Sequence, residues 1–146
     1  MTNNVLDPFV YDGSTVTINQ GTNSVWMGVG QEIDISGLGD PEQYHLSVEV
    51  IGTNNTNKYS SVYVGTSLGN DYTYSENRDL DVGVHDFTFS VPSGTQTIWI
   101  NLMDGSSGGG WTTFDNVSLI AQQTTFDISD AEFYNLSSKS GWYADE

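Results

Sequence analysis

The sequence predicts an all-β protein, an antiparallel two-sheet β-sandwich, and three observations carry that prediction. Apolar and polar residues alternate with period two through most of the chain, the pattern of strands with one buried face. Clusters of Gly, Pro, Asn, Asp and Ser interrupt the alternation, at the spacing of roughly 8–12 residues expected of short sandwich strands. Helical periodicity is nearly absent.

The elements follow in order. Val16 and Ile18 alternate with Thr15 and Thr17, and Ile33 and Ile35 flank Asp34. Leu46, Val48 and Val50 alternate with His45, Ser47 and Glu49, while Val62 and Val64 flank Tyr63. Phe87, Phe89 and Val91 alternate with Thr88 and Ser90, and Ile98, Ile100 and Leu102 with Trp99 and Asn101. A last long strand runs from Trp111 to Ile120. Turns are expected at Asp12-Gly13, Gly37 to Pro41, Gly52 to Asn57, Gly69-Asn70-Asp71, Pro92-Ser93-Gly94 and Gly105 to Gly110. One helical turn is expected at Ser129 to Tyr134, with Ser129 as its cap and Glu132 at its third position.

Size and charge narrow the function. The chain has 146 residues and no cysteine. One domain of this size buries roughly 70% of its unfolded surface, so packing alone, without disulfides, must hold it together. No run of about 18 apolar residues exists to span a membrane. Nineteen Asp and Glu face three Lys and Arg, a net charge of −16, which repels nucleic acid and anionic lipid. The start Met1-Thr2-Asn3-Asn4 has neither a basic nor an apolar leader region. The expectation is a chain used without secretion, or an excised module.

The domain is expected to end near 121, with 1–12 as an N-terminal arm. Residues 122–146 form an extension carrying Phe126, Ile128, Phe133, Tyr134, Leu136, Trp142 and Tyr143. That is too aromatic for a disordered tail and too short for its own core. It must pack on the sandwich or on a neighbouring molecule, and Phe126, Phe133, Tyr134, Trp142 and Tyr143 are the candidate assembly contacts.

Catalysis has little support. The two histidines are His45 and His85, and His85-Asp86 is a sequential pair whose side chains take opposite faces of a strand. No Gly-x-Ser-x-Gly elbow is present, and the glycine-rich 104–110 loop lacks the Lys and the helix of a phosphate cradle. With nineteen acids, any chosen carboxylate pair is uninformative as a glycosidase site. The expectation is a chain that is not an enzyme. Rings expected to point away from the core are Trp26, Tyr63, Trp99 and Trp111, with Tyr72 and Tyr74 near a turn. They are candidates for ligand stacking, for a protein interface, or for packing under a second layer.

Three stretches bear a resemblance. Gln31 to Leu38 followed by Tyr44-His45-Leu46-Ser47-Val48, then Asp86 to Pro92, then Trp111-Thr112-Thr113-Phe114-Asp115-Asn116-Val117-Ser118-Leu119 resemble successive strands of the carbohydrate-binding modules with a galactose-binding-like jelly-roll fold. The resemblance covers Trp26 to Ile120 and implies a jelly roll. It also implies carbohydrate as a candidate ligand and Asp115 as a candidate calcium ligand. The family's opening acidic element is matched only loosely by Asn4 to Val10, with Val10 in place of the acid. Read on its own, Asp115 is a carboxylate accepting backbone hydrogen bonds at a strand bulge.

Two functions remain. One is a capsid decoration or cement protein of a tailed bacteriophage. It would sit on the virion surface, bound to a lattice such as the major capsid protein, and form a homo-oligomer. Phage structural proteins often carry domains like these modules. The other is a free-standing, extracellular carbohydrate-binding module. Neither needs a cofactor, nucleic acid or a membrane.

Overall fold

The structure, a computed structural model, describes residues 9–11, 15–19, 27–36, 43–53, 60–105, 111–121, 124–125 and 134–135. Eight strands make the body: β2 (Val16–Asn19), β3 (Met27–Asp34), β4 (Tyr44–Thr53), β5 (Ser60–Gly65), β6 (Ser75–Asn77), β7 (Gly83–Phe89), β8 (Thr97–Asp104) and β9 (Trp111–Ala121). Three short strands flank them: β1 (Phe9–Tyr11), β10 (Thr124–Thr125) and β11 (Tyr134–Asn135). All pairings are antiparallel.

The first sheet has the order β1-β2-β9-β4-β7, with β10 also paired to β9; the second has the order β11-β3-β8-β5-β6. The pairs β2·β9, β3·β8, β4·β7 and β5·β6 are nested one inside the next along the chain. Nesting of this kind winds a long antiparallel ribbon into two facing sheets, which is the jelly roll.

Alternation places the core as expected. Val16, Ile18, Tyr44, Leu46, Val48, Val50, Phe114 and Leu119 from the first sheet meet Val29, Ile33, Val62, Val64, Ile98, Ile100 and Leu102 from the second, all buried. Tyr44 and Phe89, cross-strand partners, stack with centroids 5.4 Å apart. One end of the interior is polar. Thr112 Oγ1 donates to the buried Asp104 Oδ2 at 2.6 Å and lies 2.7 Å from Ser60 Oγ. This links β9 to β8 and β5 across the two sheets and satisfies a carboxylate that burial would otherwise penalise.

The closing strand departs from strict alternation. Thr112 and Phe114 point inward, yet so do Leu119 and Ala121, and an even-to-odd change needs one extra residue. The pairing of β9 with β4 slips between Ser47 and Glu49, where Asn116 and Val117 oppose Val48. Asn116 takes φ +51°, a conformation Asn tolerates better than most residues, and Asp115 Oδ1 accepts its backbone N–H at 2.7 Å. The bulge turns the strand over so that both halves bury their apolar residues.

The extension lies on its own domain wherever it is described. Thr124↔Ala121 and Thr125↔Ile120 fold it back along β9. Tyr134↔Gly30 and Asn135↔Val29 then add a rung to β3 in the opposite sheet. The helical turn expected at Ser129 to Tyr134 therefore does not extend through Tyr134, which is in a strand; ladder hydrogen bonds at the β3 edge override a weak local helix signal. Gly52, expected in a turn, continues β4 as far as Thr53.

Candidate functional site

The two sheets present very different outer faces. On the second sheet the outward positions Gly28 and Gly30 of β3, Asn101 and Met103 of β8, and Ser61, Tyr63 and Gly65 of β5 are buried and Trp99 is half-buried, while Glu32, Asp34 and Thr97 at the far end of β3 and β8 are exposed. The loop 66–74, which joins β5 to β6, accounts for the centre of this cover.

Asn101 anchors that loop. Fully buried, it accepts the Gly69 N–H at 2.9 Å on Oδ1, while its Nδ2 donates to Ser67 O at 3.1 Å and to Asp71 O at 3.4 Å. The loop comes this close because two positions beneath it lack a side chain. A Cβ on Gly30 would collide with Asn101 Oδ1 and Leu68 Cδ1, and one on Gly65 with the Asp71 carboxylate.

Asp71 organises the loop from the other side. Its Oδ2 accepts hydroxyls from Thr66 at 2.7 Å and Ser67 at 2.9 Å. Its Oδ1 accepts Thr73 N–H at 3.0 Å and Thr73 Oγ1 at 2.6 Å. Burial pushes this carboxyl up, but the four donors outweigh it and hold the pKa at about 2. The result is an open depression of about 390 Å³ lined by Ser67, Leu68, Asn70, Asp71, Tyr72 and Thr73.

At its rim stands an aromatic and cationic cluster. Tyr63 and Tyr72 lie 5.1 Å apart, tilted by 59°. The Arg78 guanidinium sits 5.1 Å from the Tyr63 ring centre and 5.3 Å from that of Tyr72, steered by an ion pair with Glu76. Burial pushes the Tyr63 phenol up to about 12, so it is neutral at ordinary pH.

The outward rings expected from the sequence therefore part company. Tyr63 does point away from the inter-sheet core but is wholly buried, and Trp99 is half-buried. They belong to a second packed layer rather than to an open platform. Tyr72, 43% exposed, is the member of the cluster with a solvent-facing ring. Tyr74 is half-buried and packs on the core. Trp111, half-buried, rests on the first sheet near Gly52, where a Cβ would meet its ring at 3.2 Å. Trp26, Phe126, Phe133, Trp142 and Tyr143 lie outside the described residues; of Tyr134 only the strand position is described.

The first sheet's outer face carries Thr17, His45, Ser47, Glu49, Ile51, Val84, Asp86, Thr88, Thr113, Asp115, Ser118 and Ile120, none of them buried. Thr17 and Thr113 hydroxyls are 2.7 Å apart, and Asn116 Nδ2 donates to Glu49 Oε1 at 2.7 Å. Asp115, the candidate calcium ligand, is engaged at the bulge by the Asn116 amide. Among the described residues no group of three or more His, Cys, Asp or Glu is placed to hold a metal ion. His85 lies on the inner side of β7, stacked on Phe87 at 6.3 Å, with Nε2 2.6 Å from Asp81 O. His45 lies on the outer face of β4, on the opposite side of the first sheet.

Sequence reasoning passed over Asn101, Asp71 and Arg78 as organisers. A signal was present for Asp71: Thr66, Ser67 and Thr73 surround it, the hydroxyl-rich setting in which a carboxylate nucleates a turn. No helix among the described residues is long and apolar enough to cross a membrane. The chain matches no protein-family model and is similar to no curated protein.

Proposed function

We propose that the chain is a non-catalytic assembly protein, a decoration or cement subunit on the capsid of a tailed bacteriophage, built on a carbohydrate-binding-module-like jelly roll. The observation that carries this reading is the use made of the outward rings. Tyr63 is buried in a second layer against Tyr72 of the loop held by Asn101 and Asp71, and Trp99 is half-buried against the core. A glycan-binding face needs several open rings in a row. Among the described residues the exposed large apolar side chains are Ile51, Val82, Val84 and Ile120, beside the one ring of Tyr72. Aliphatic side chains among acids suit contact with a protein surface better than contact with a sugar ring. The net charge of −16 favours a soluble outer subunit that repels its own kind away from the lattice.

Sedimentation of the purified chain with capsid shells tests the reading, and the expected result is saturable co-pelleting. The second reading, a polysaccharide-binding module, is favoured by the depression beside Tyr72, with Asn70 and Thr73 on its wall. Retention of the chain by xylan or β-glucan in affinity electrophoresis, lost in Tyr72→Ala, would replace the first reading by the second.

A further inference from the structure

The edges of the two sheets are not alike. In the second sheet the edge strands β11 and β6 have two and three residues, and in the first sheet β1 has three. Short edges are one way a sheet avoids pairing with foreign strands. The remaining edge, β7, has seven residues, Gly83-Val84-His85-Asp86-Phe87-Thr88-Phe89. It pairs with β4 on one side, and among the described residues no strand pairs with the other. It contains no Pro, Lys or Arg and no bulge against β4; its one acidic residue, Asp86, repels acidic strands and leaves the edge open to a basic one. An antiparallel edge of this length directs every second N–H and C=O outward.

Its surroundings say what would pair there. Ile51, Val82 and Val84 are 44%, 59% and 62% exposed. Val84, on the edge strand itself, faces Glu49 across the ladder, with Val82 just before the strand and Ile51 one strand further in, on β4. Exposed acids, Asp79, Asp81 and Asp86, flank Val84. Arg78, the one Lys or Arg among the described residues, is turned to Glu76 and the two tyrosines. A second copy of the chain is a poor occupant. Pairing of two β7 strands about their midpoint would set Asp86 against Asp86, and each copy carries −16.

We infer that the edge of β7 is a docking strand for an extended, positively charged segment of a partner protein, which adds to the first sheet by main-chain pairing. On the outer face its apolar side chain lies beside Val84 and its cation, two residues along, beside Asp86. The inference deepens the assembly reading and rests on it for the kind of partner. The partner class is chemical: a lysine- or arginine-bearing strand or arm.

The test uses the full chain and a synthetic peptide in which valine and lysine alternate along one strand face with threonine between them (Val-Thr-Lys-Thr, repeated), with a peptide carrying glutamate in place of lysine as control. The lysine peptide binds, weakens as salt is raised, and slows hydrogen exchange of the β7 amides. The glutamate peptide does not bind. Val84→Lys/Asp86→Lys, two exposed positions, lowers affinity by about tenfold or more while circular dichroism stays that of a β-protein; Val84→Lys alone serves if the pair fails to fold. Binding of neither peptide, equal binding of both, protection elsewhere than β7, or a dimer of the unliganded chain that Val84→Lys dissolves would each overturn the inference. Co-sedimentation separates it from the reading beneath it. If Val84→Lys/Asp86→Lys still pellets with capsid shells, the docking strand is wrong and the assembly reading stands. If the unaltered chain does not pellet, the assembly reading fails and the peptide result alone decides the edge.

Discussion

The two outer faces of this sandwich start from the same alternation and end as opposites. On the first sheet the outward residues stay at the surface, and a hydroxyl pair such as Thr17 and Thr113 is a local contact. On the second sheet the outward residues Tyr63, Asn101 and Met103 are as buried as the inter-sheet core. The difference is made by two missing side chains, at Gly30 and Gly65, which let the 66–74 loop lie down. Polarity at the outward positions does not by itself decide which face of a sheet meets solvent; room for a covering segment does.

The largest expected effect comes from closing that room. Gly65→Ala puts a methyl group where the Asp71 carboxylate sits. It should cost about 3 kcal/mol, at the upper end for overpacking, and should expose Tyr63 to quenchers of tyrosine fluorescence. A loss of unfolding free energy in urea of less than about 0.5 kcal/mol would mean that the loop is not seated as described. Asn101→Ala should cost about 2 to 3 kcal/mol, because it strands the buried Gly69 N–H along with the carbonyls of Ser67 and Asp71.

Asp71 should contribute to stability in a pH-dependent way. Its pKa is lowered from 3.8 to about 2 in the folded chain. The folded state thus binds the proton less readily than the unfolded one, so the contribution is complete above about pH 4 and is lost as pH falls towards 2. Thermal melts of the unaltered chain should decline over that window, and those of Asp71→Asn should lose this part of the decline. Parallel curves would show that the four hydrogen bonds do not favour the ionised form.

Tyr72→Ala removes a half-exposed ring and one of the two tyrosine contacts of Arg78. About 1 kcal/mol is expected from chemical denaturation. On the opposite face, Thr113→Val loses only the hydroxyl contact to Thr17 and should stay within about 0.5 kcal/mol. A cost for Thr113→Val equal to that for Asn101→Ala would erase the distinction between the covered face and the open one.

Much of this architecture was legible before any coordinates. Period two at Leu46, Val48 and Val50, or at Ile98, Ile100 and Leu102, reports burial against a facing sheet because the pleat alternates side chains rigidly. The bulge reading of Asp115 was legible too, since an Asp-Asn pair in a strand supplies both a backbone acceptor and a residue tolerant of positive φ. The candidate site was not. Asn101 and Trp99 share a face by parity, but parity says only that they point away from the core. It does not say that β5 and β8 would lie side by side with Tyr63↔Asn101 and Gly65↔Trp99, nor that the loop leaving β5 would fold back over Tyr63 and Asn101.

Taken alone, the chain's own pattern determined the fold class, the core-facing residues and the net acidity, because alternation and net charge are local or additive properties. Tertiary structure alone decided the nested strand order, the burial of Tyr63, the seat of the 66–74 loop and the long bare edge at β7. Each of these depends on which distant segments become neighbours, and no local pattern encodes that.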